Sequence, residues 1–118
     1  AISNKNITIY GNGMQTRSFC YIDDLIKGLL KLYKGKYNKP INLGNPKEYT
    51  MKDFADIVIN LTNSKSKIKY LKLPLDDPKK RKPNINLAKK YLNWQPQISL
   101  KEGLKKTISH YKNTKFKY

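Results

Sequence analysis

Apolar and polar positions change their period several times along the chain, and each change predicts an element. Ile7-Thr8-Ile9-Tyr10 alternates as a short strand does, and Gly11-Asn12-Gly13 then supplies residues suited to positive φ in a tight loop. Ser18-Phe19-Cys20-Tyr21-Ile22 is a second extended run. Asp23 or Asp24 is expected to cap the next helix, about Asp24 to Lys34, with Leu25, Leu29, Leu32 and Tyr33 on its packed face. Pro40-Ile41-Asn42-Leu43-Gly44 is short and apolar, as a fully buried strand is, and Asn45-Pro46 closes it.

Thr50, with Asp53 three residues on, opens a helix whose apolar face is Met51, Phe54, Ala55, Ile57, Val58 and Leu61 and which ends near Asn63. Lys67 to Leu71 alternates as another strand. Asn86 to Leu92 reads as a short helix stopped by Asn93-Trp94-Gln95-Pro96, with the Trp94 ring in the core. Ser99 and Glu102 form a capping box for a last helix carried by Leu100, Leu104, Ile108 and Tyr111 to about Lys112, with a frayed tail from Asn113 to Tyr118. Strands and helices take turns, so the fold class is α/β, and no linker or repeat divides residues 1–118.

At 118 residues the chain has room for one modest core. Its single cysteine, Cys20, cannot close an internal disulfide, which points to a reducing, cytoplasmic setting. No apolar run approaches the roughly 20 residues of a membrane span. The first residues have neither a secretory pattern nor an initiator Met, so a fragment boundary is expected there. The net charge of +17 suggests nucleic acid, but the lysines are spread over every expected element and the composition is that of AT-rich codons. A basic nucleic-acid binder therefore stands only as a rival reading.

A self-contained active site is missing. Gly11-Asn12-Gly13 lacks the third glycine and the helix of a dinucleotide loop. One histidine, His110, and one cysteine cannot make a zinc site, so no metal is expected. The pairs Asp23-Asp24 and Asp76-Asp77 are explained by capping and turns. Tyr111 and Lys115 match a Tyr-x-x-x-Lys spacing by coincidence in a chain this rich in both residues.

Two residues run against the composition. Of 25 cationic side chains, only Arg17 and Arg81 are arginines. A guanidinium holds phosphate or carboxylate through two parallel bonds, which an ammonium cannot. Arg81 lies in Asp76-Asp77-Pro78-Lys79-Lys80-Arg81-Lys82-Pro83-Asn84-Ile85, a polar segment kept extended by its prolines. Both arginines read as ligands of an anionic small molecule.

Ile7 to Leu25, Ile41-Asn42-Leu43-Gly44-Asn45-Pro46, Asp76 to Ile85 and Leu92-Asn93-Trp94-Gln95-Pro96 closely resemble the C-terminal part of the UDP-glucuronate decarboxylases, or UDP-xylose synthases. These are extended short-chain dehydrogenase/reductases of the NAD-dependent epimerase/dehydratase group. The resemblance implies that residues 1–118 are the C-terminal, substrate-binding segment of a Rossmann-type enzyme, with Pro40 to Gly44 as a strand completing the Rossmann sheet. It also implies an N-terminal NAD domain outside this chain, carrying the catalytic Tyr and Lys, and a homodimer formed through that part.

By the same resemblance Arg17 grips the nucleotide diphosphate of a UDP-sugar. Arg81 lies on the diphosphate side of the sugar pocket and handles the glucuronate carboxylate, the one catalytic role within this chain. Tyr10 and Gln15 lie beside the uridine, and Asn84 stands where relatives usually place an Asp on the ribose hydroxyls. Related nucleotide-sugar 4-epimerases and 4,6-dehydratases share several of these elements and stay open, as does a non-catalytic binding module.

Overall fold

A computed structural model describes residues 1–74 and 80–114. The Asp76-Asp77 pair, the start of the proline-bracketed segment, Lys115 and the end of the tail lie outside the described residues. The elements run β1 (Ile7–Tyr10), β2 (Thr16–Ser18), α1 (Ile22–Lys34), β3 (Glu48–Thr50), α2 (Met51–Thr62), β4 (Ile68–Leu71), β5 (Lys80–Arg81), α3 (Asn86–Leu92) and α4 (Leu100–Asn113). The α/β class is as expected, and no described helix is long and apolar enough to cross a membrane.

The strands form two small sheets. β1 and β4 pair in parallel, Ile7 opposite Ile68 and Tyr10 opposite Leu71. In the other sheet β2 is central, antiparallel to β3 and parallel to β5. The alternation in β1 has its expected effect: Ile9 is buried, while Thr8 and Tyr10 face water. Gly11 and Gly13 both take positive φ, 72° and 77°. At Gly13 a side chain would also crowd the Lys52 Cβ at 3.2 Å, and the Lys52 amide donates to the Gly13 carbonyl at 3.0 Å and ties the loop to α2.

Helix α2 begins as its sequence signals: the Thr50 hydroxyl accepts from the Asp53 amide at 3.0 Å. It ends at Asn63, which takes the left-handed conformation with φ 49°. The Ser99 hydroxyl likewise accepts from the Glu102 amide at 3.2 Å to start α4, which continues to Asn113, one residue past the expected end. Phe19 and Phe54 stack with ring centroids 4.1 Å apart and join β2 to α2.

The core is a cluster of Ile85, Ala88, Leu92 and Trp94, with Cys20, Leu32, Ile41 and Leu43 packed against it. The Trp94 ring is buried as expected. Helix α1 approaches this cluster through Gly28, where an added Cβ would lie 3.0 Å from both Leu43 and Trp94. That closeness seats α1 on its Asp24 and Gly28 side.

Four expectations are corrected. Neither Asp23 nor Asp24 caps α1; Tyr21 is the N-cap residue, with no side-chain cap bond, and the helix starts at Ile22. The second extended run is likewise shorter and earlier, Thr16–Ser18. On α1, Leu29 and Tyr33 do not pack: Leu29 is half exposed and Tyr33 is 86% exposed. Finally, residues 40–43 are in no strand and are only partly buried. A strand needs a neighbour for its ladder, and no described strand lies beside them, so Ile41 and Leu43 turn into the Trp94 core instead.

Candidate functional site

The three-stranded sheet organises the site because β2 carries Arg17 in the middle of its three residues. Arg17 is the ladder partner of Tyr49 on β3 and of Arg81 on β5. Partners across a ladder share a face, since the pleat alternates in step, and neighbouring strands lie about 4.8 Å apart. Tyr49, Arg17 and Arg81 therefore form one row on one face. Thr16, Ser18, Glu48 and Lys80 occupy the opposite face.

Arg17 is half-buried, and its Nη1 donates to the Thr16 carbonyl at 2.8 Å. Arg81 is exposed. Beside Arg17 opens a cleft of about 320 Å³ whose walls include Tyr10, Gln15, Phe19, Met51 and Pro74. Its rim is fixed locally: Gln15 Nε2 donates to the Tyr10 carbonyl at 2.6 Å, and Asn12 Oδ1 accepts from the Met14 amide at 3.0 Å. The loop between β1 and β2 thus holds Tyr10 and Gln15 together at the mouth of the cleft.

The structure brings Tyr10, Gln15 and Arg17 into one cleft and sets Arg81 one strand away from Arg17. Asn84 lies apart, in a shallow hollow of about 360 Å³ with Lys82, Pro83, Asn86 and Lys89. Its side-chain oxygen is engaged by the Asn86 amide at 3.0 Å, and its carbonyl accepts from Asn42 Nδ2 at 3.3 Å. A roomier groove of about 530 Å³, between α1 and α3, is lined by Lys27, Lys31, Lys89 and Trp94. It contains none of the expected site residues, and Lys31 is already donating there to the Asn93 carbonyl at 2.7 Å.

Two site features escape a reading of the sequence alone. Tyr49 joins the arginine row only because β3 pairs with β2, and three residues are too few to show a period. Glu48 is the other. The Thr16 hydroxyl, donating at 2.6 Å, and the Lys80 and Lys82 ammoniums hold its carboxyl below the ordinary value against an opposing burial effect.

Cys20 is shifted the other way: burial, then the Asp24 charge, push its thiol up, which leaves it a poor nucleophile. No group of three metal-ligating side chains occurs among the described residues. The residues present also do not fit a dinucleotide: the loop after β1 leads into β2 rather than into a helix, and the α2 amide that meets it, Lys52, already donates to the Gly13 carbonyl at 3.0 Å.

Residues 1–107 match the family model described as GDP-mannose 4,6 dehydratase. UDP-glucuronic acid decarboxylase 1 of Arabidopsis thaliana is 46% identical over 107 residues, 91% of this chain and 25% of its own length. The Danio rerio UDP-glucuronic acid decarboxylase 1 is 43% identical over 111 residues, 94% and 27% of the two lengths. The chain spans about a quarter of the length of these curated relatives.

Among solved structures, UDP-glucuronic acid 4-epimerase from Bacillus cereus, in complex with UDP-glucuronic acid and NAD, matches with a TM-score of 0.86 at 30% identity. That match covers 94% of this chain and 36% of the other. UDP-glucose 4-epimerase from Thermotoga maritima, with UDP-glucose, gives 0.89 at 25% identity over the same shares of the two chains. The chain belongs to the GDP-mannose 4,6 dehydratase family, among the NAD-dependent epimerases and dehydratases of the extended short-chain dehydrogenase/reductase type.

Proposed function

We propose that this chain is the UDP-sugar-binding part of an NAD-dependent UDP-glucuronate decarboxylase, which converts UDP-glucuronate to UDP-xylose and carbon dioxide. The observation that carries this reading is the ladder pairing of Arg17 with Arg81, the chain's only two arginines, beside a cleft lined by Tyr10 and Gln15. Two guanidiniums on one sheet face match the charge of a diphosphate, which each can hold through paired donors. Identity of 40 to 46% to several UDP-glucuronic acid decarboxylases supports the choice of substrate.

In this reading Arg17 grips the diphosphate, while Arg81 holds its sugar-side oxygens and steadies the glucuronate carboxylate. Tyr10 and Gln15 flank the uridine. Asn84 is assigned to the ribose, to which its amide nitrogen could donate while its oxygen stays on Asn86. NAD, held by residues outside this chain, supplies the hydride chemistry; the chain itself binds and orients the substrate. A homodimer and a cytoplasmic setting belong to the same reading.

The likeness to the two 4-epimerase structures favours one second reading, a UDP-sugar epimerase segment. Calorimetric titration with UDP, UDP-xylose and UDP-glucose tests both. The decarboxylase reading expects UDP and UDP-xylose to bind and Arg17→Ala to weaken UDP about tenfold or more, as loss of a charge-assisted pair does. Preference for UDP-glucose over UDP-xylose favours the epimerase, and absence of heat with every nucleotide sugar refutes both.

A further inference from the structure

The face of the three-stranded sheet turned away from the arginines carries a small polar cluster. Glu48 Oε1 accepts from the Thr16 hydroxyl at 2.6 Å, and Glu48 Oε2 lies 3.7 Å from Lys82 Nζ. Thr16 is in β2, Glu48 in β3, and Lys82 directly follows β5. One carboxylate therefore ties all three strands together.

β5 needs such a tie. It has two residues, both exposed, and its ladder bonds return little more than the entropy lost in ordering them. The Ser18 hydroxyl also donates to the Arg81 carbonyl, at a long 3.3 Å. Arg81, the more exposed of the two arginines, is carried by this weakly held strand. A slip by one residue would turn its side chain to the opposite face.

We propose that Glu48 is a positioning residue for the arginine pair: by bridging Thr16 and Lys82 from the reverse face, it holds Arg81 in register beside Arg17. The consequence for binding rests on the nucleotide-sugar reading above, whereas the register itself needs no ligand. Glu48 is no candidate acid or base for the substrate. It faces away from the arginine row, and both carboxylate oxygens are engaged.

The test joins two readouts on the full chain. In Glu48→Ala, amide exchange at Lys80, Arg81 and Lys82 accelerates about tenfold by NMR while the β1·β4 ladder is unchanged, as local opening requires. Calorimetry with UDP shows binding about tenfold weaker in Glu48→Ala, but less than about twofold further loss when Arg81→Ala is already present, because the two act as one unit. Glu48→Gln keeps the shape and the Thr16 bond yet loses the charge facing Lys82, so a smaller shift of the same sign is expected should the Ala variant unfold.

Unchanged exchange at β5 overturns the proposal, as does a UDP loss equal with and without Arg81. If exchange responds but the unaltered chain binds no UDP, the clamp stands and the nucleotide-sugar reading falls.

Discussion

Trp94 Nε1 donates to the main-chain carbonyl of Asp24 at 2.9 Å, joining the start of α1 to the segment that leads into α4. The Asp24 carboxylate completes the joint, since one of its oxygens accepts from the amides of Gln97 at 2.9 Å and Ile98 at 2.7 Å. Asp24 is 1% exposed, so its carboxylate depends on these protein donors rather than on water. Asp24→Ala takes the acceptor from two part-buried amides and should cost about 2 to 3 kcal/mol, while Asp24→Asn, which keeps an acceptor, should cost about 1. Urea unfolding of the two variants checks the order, and equal losses would contradict it.

Much of the fold is legible in the sequence where a local chemical signal decides it. Thr50, Ser99, Asn63 and Asn93 mark helix ends because a hydroxyl or a left-handed backbone acts within a few residues. Legibility fails where the outcome depends on something distant. Asp24 has the composition and place of a cap, but its partners are more than 70 residues away. The periodicity of α1 shows an apolar stripe without showing whether anything covers it. In the site, Arg17 and Arg81 stand out by residue type, whereas Tyr49 and Glu48 join them only through strand pairing.

The outer side of α1 carries Ile22, Ile26, Leu29, Leu30 and Tyr33, all large and about half or more exposed. They recur at helical spacing and form one patch, so concentration-dependent association of the chain is expected. Ile26→Lys with Leu29→Lys should reduce that association in sedimentation velocity and shift unfolding by less than about 0.5 kcal/mol per site, as exposed positions do. A large loss of stability would show that these side chains pack within the chain.

Glu48 makes the sheet sensitive to acid. Its carboxyl is lowered from the ordinary value of 4.5 by the Thr16 hydroxyl and the nearby Lys80 and Lys82 charges. Its contribution is therefore present above that value and is lost as pH falls through the still lower folded value. Stability of the unaltered chain and of Glu48→Gln should converge in the acid limb, and a constant gap from neutral pH downward would contradict this.

Cys20, which packs against the Trp94 cluster, gives a check on burial between β2 and α1. With the thiol pushed up by burial and by Asp24, alkylation at pH 8 should be about tenfold slower or more than in the urea-unfolded chain, because only the thiolate reacts. Equal rates would mean that the segment joining β2 to α1 opens freely.

Titration of UDP into the unaltered chain, Arg17→Ala, Arg81→Ala and the double variant reads the shared diphosphate site itself. Each single loss should weaken binding about tenfold or more, and the double loss should fall short of the product, since two groups gripping one diphosphate are coupled. Independent losses that multiply in full, or UDP held equally well by the double variant, would contradict the pairing of these two arginines on one ligand.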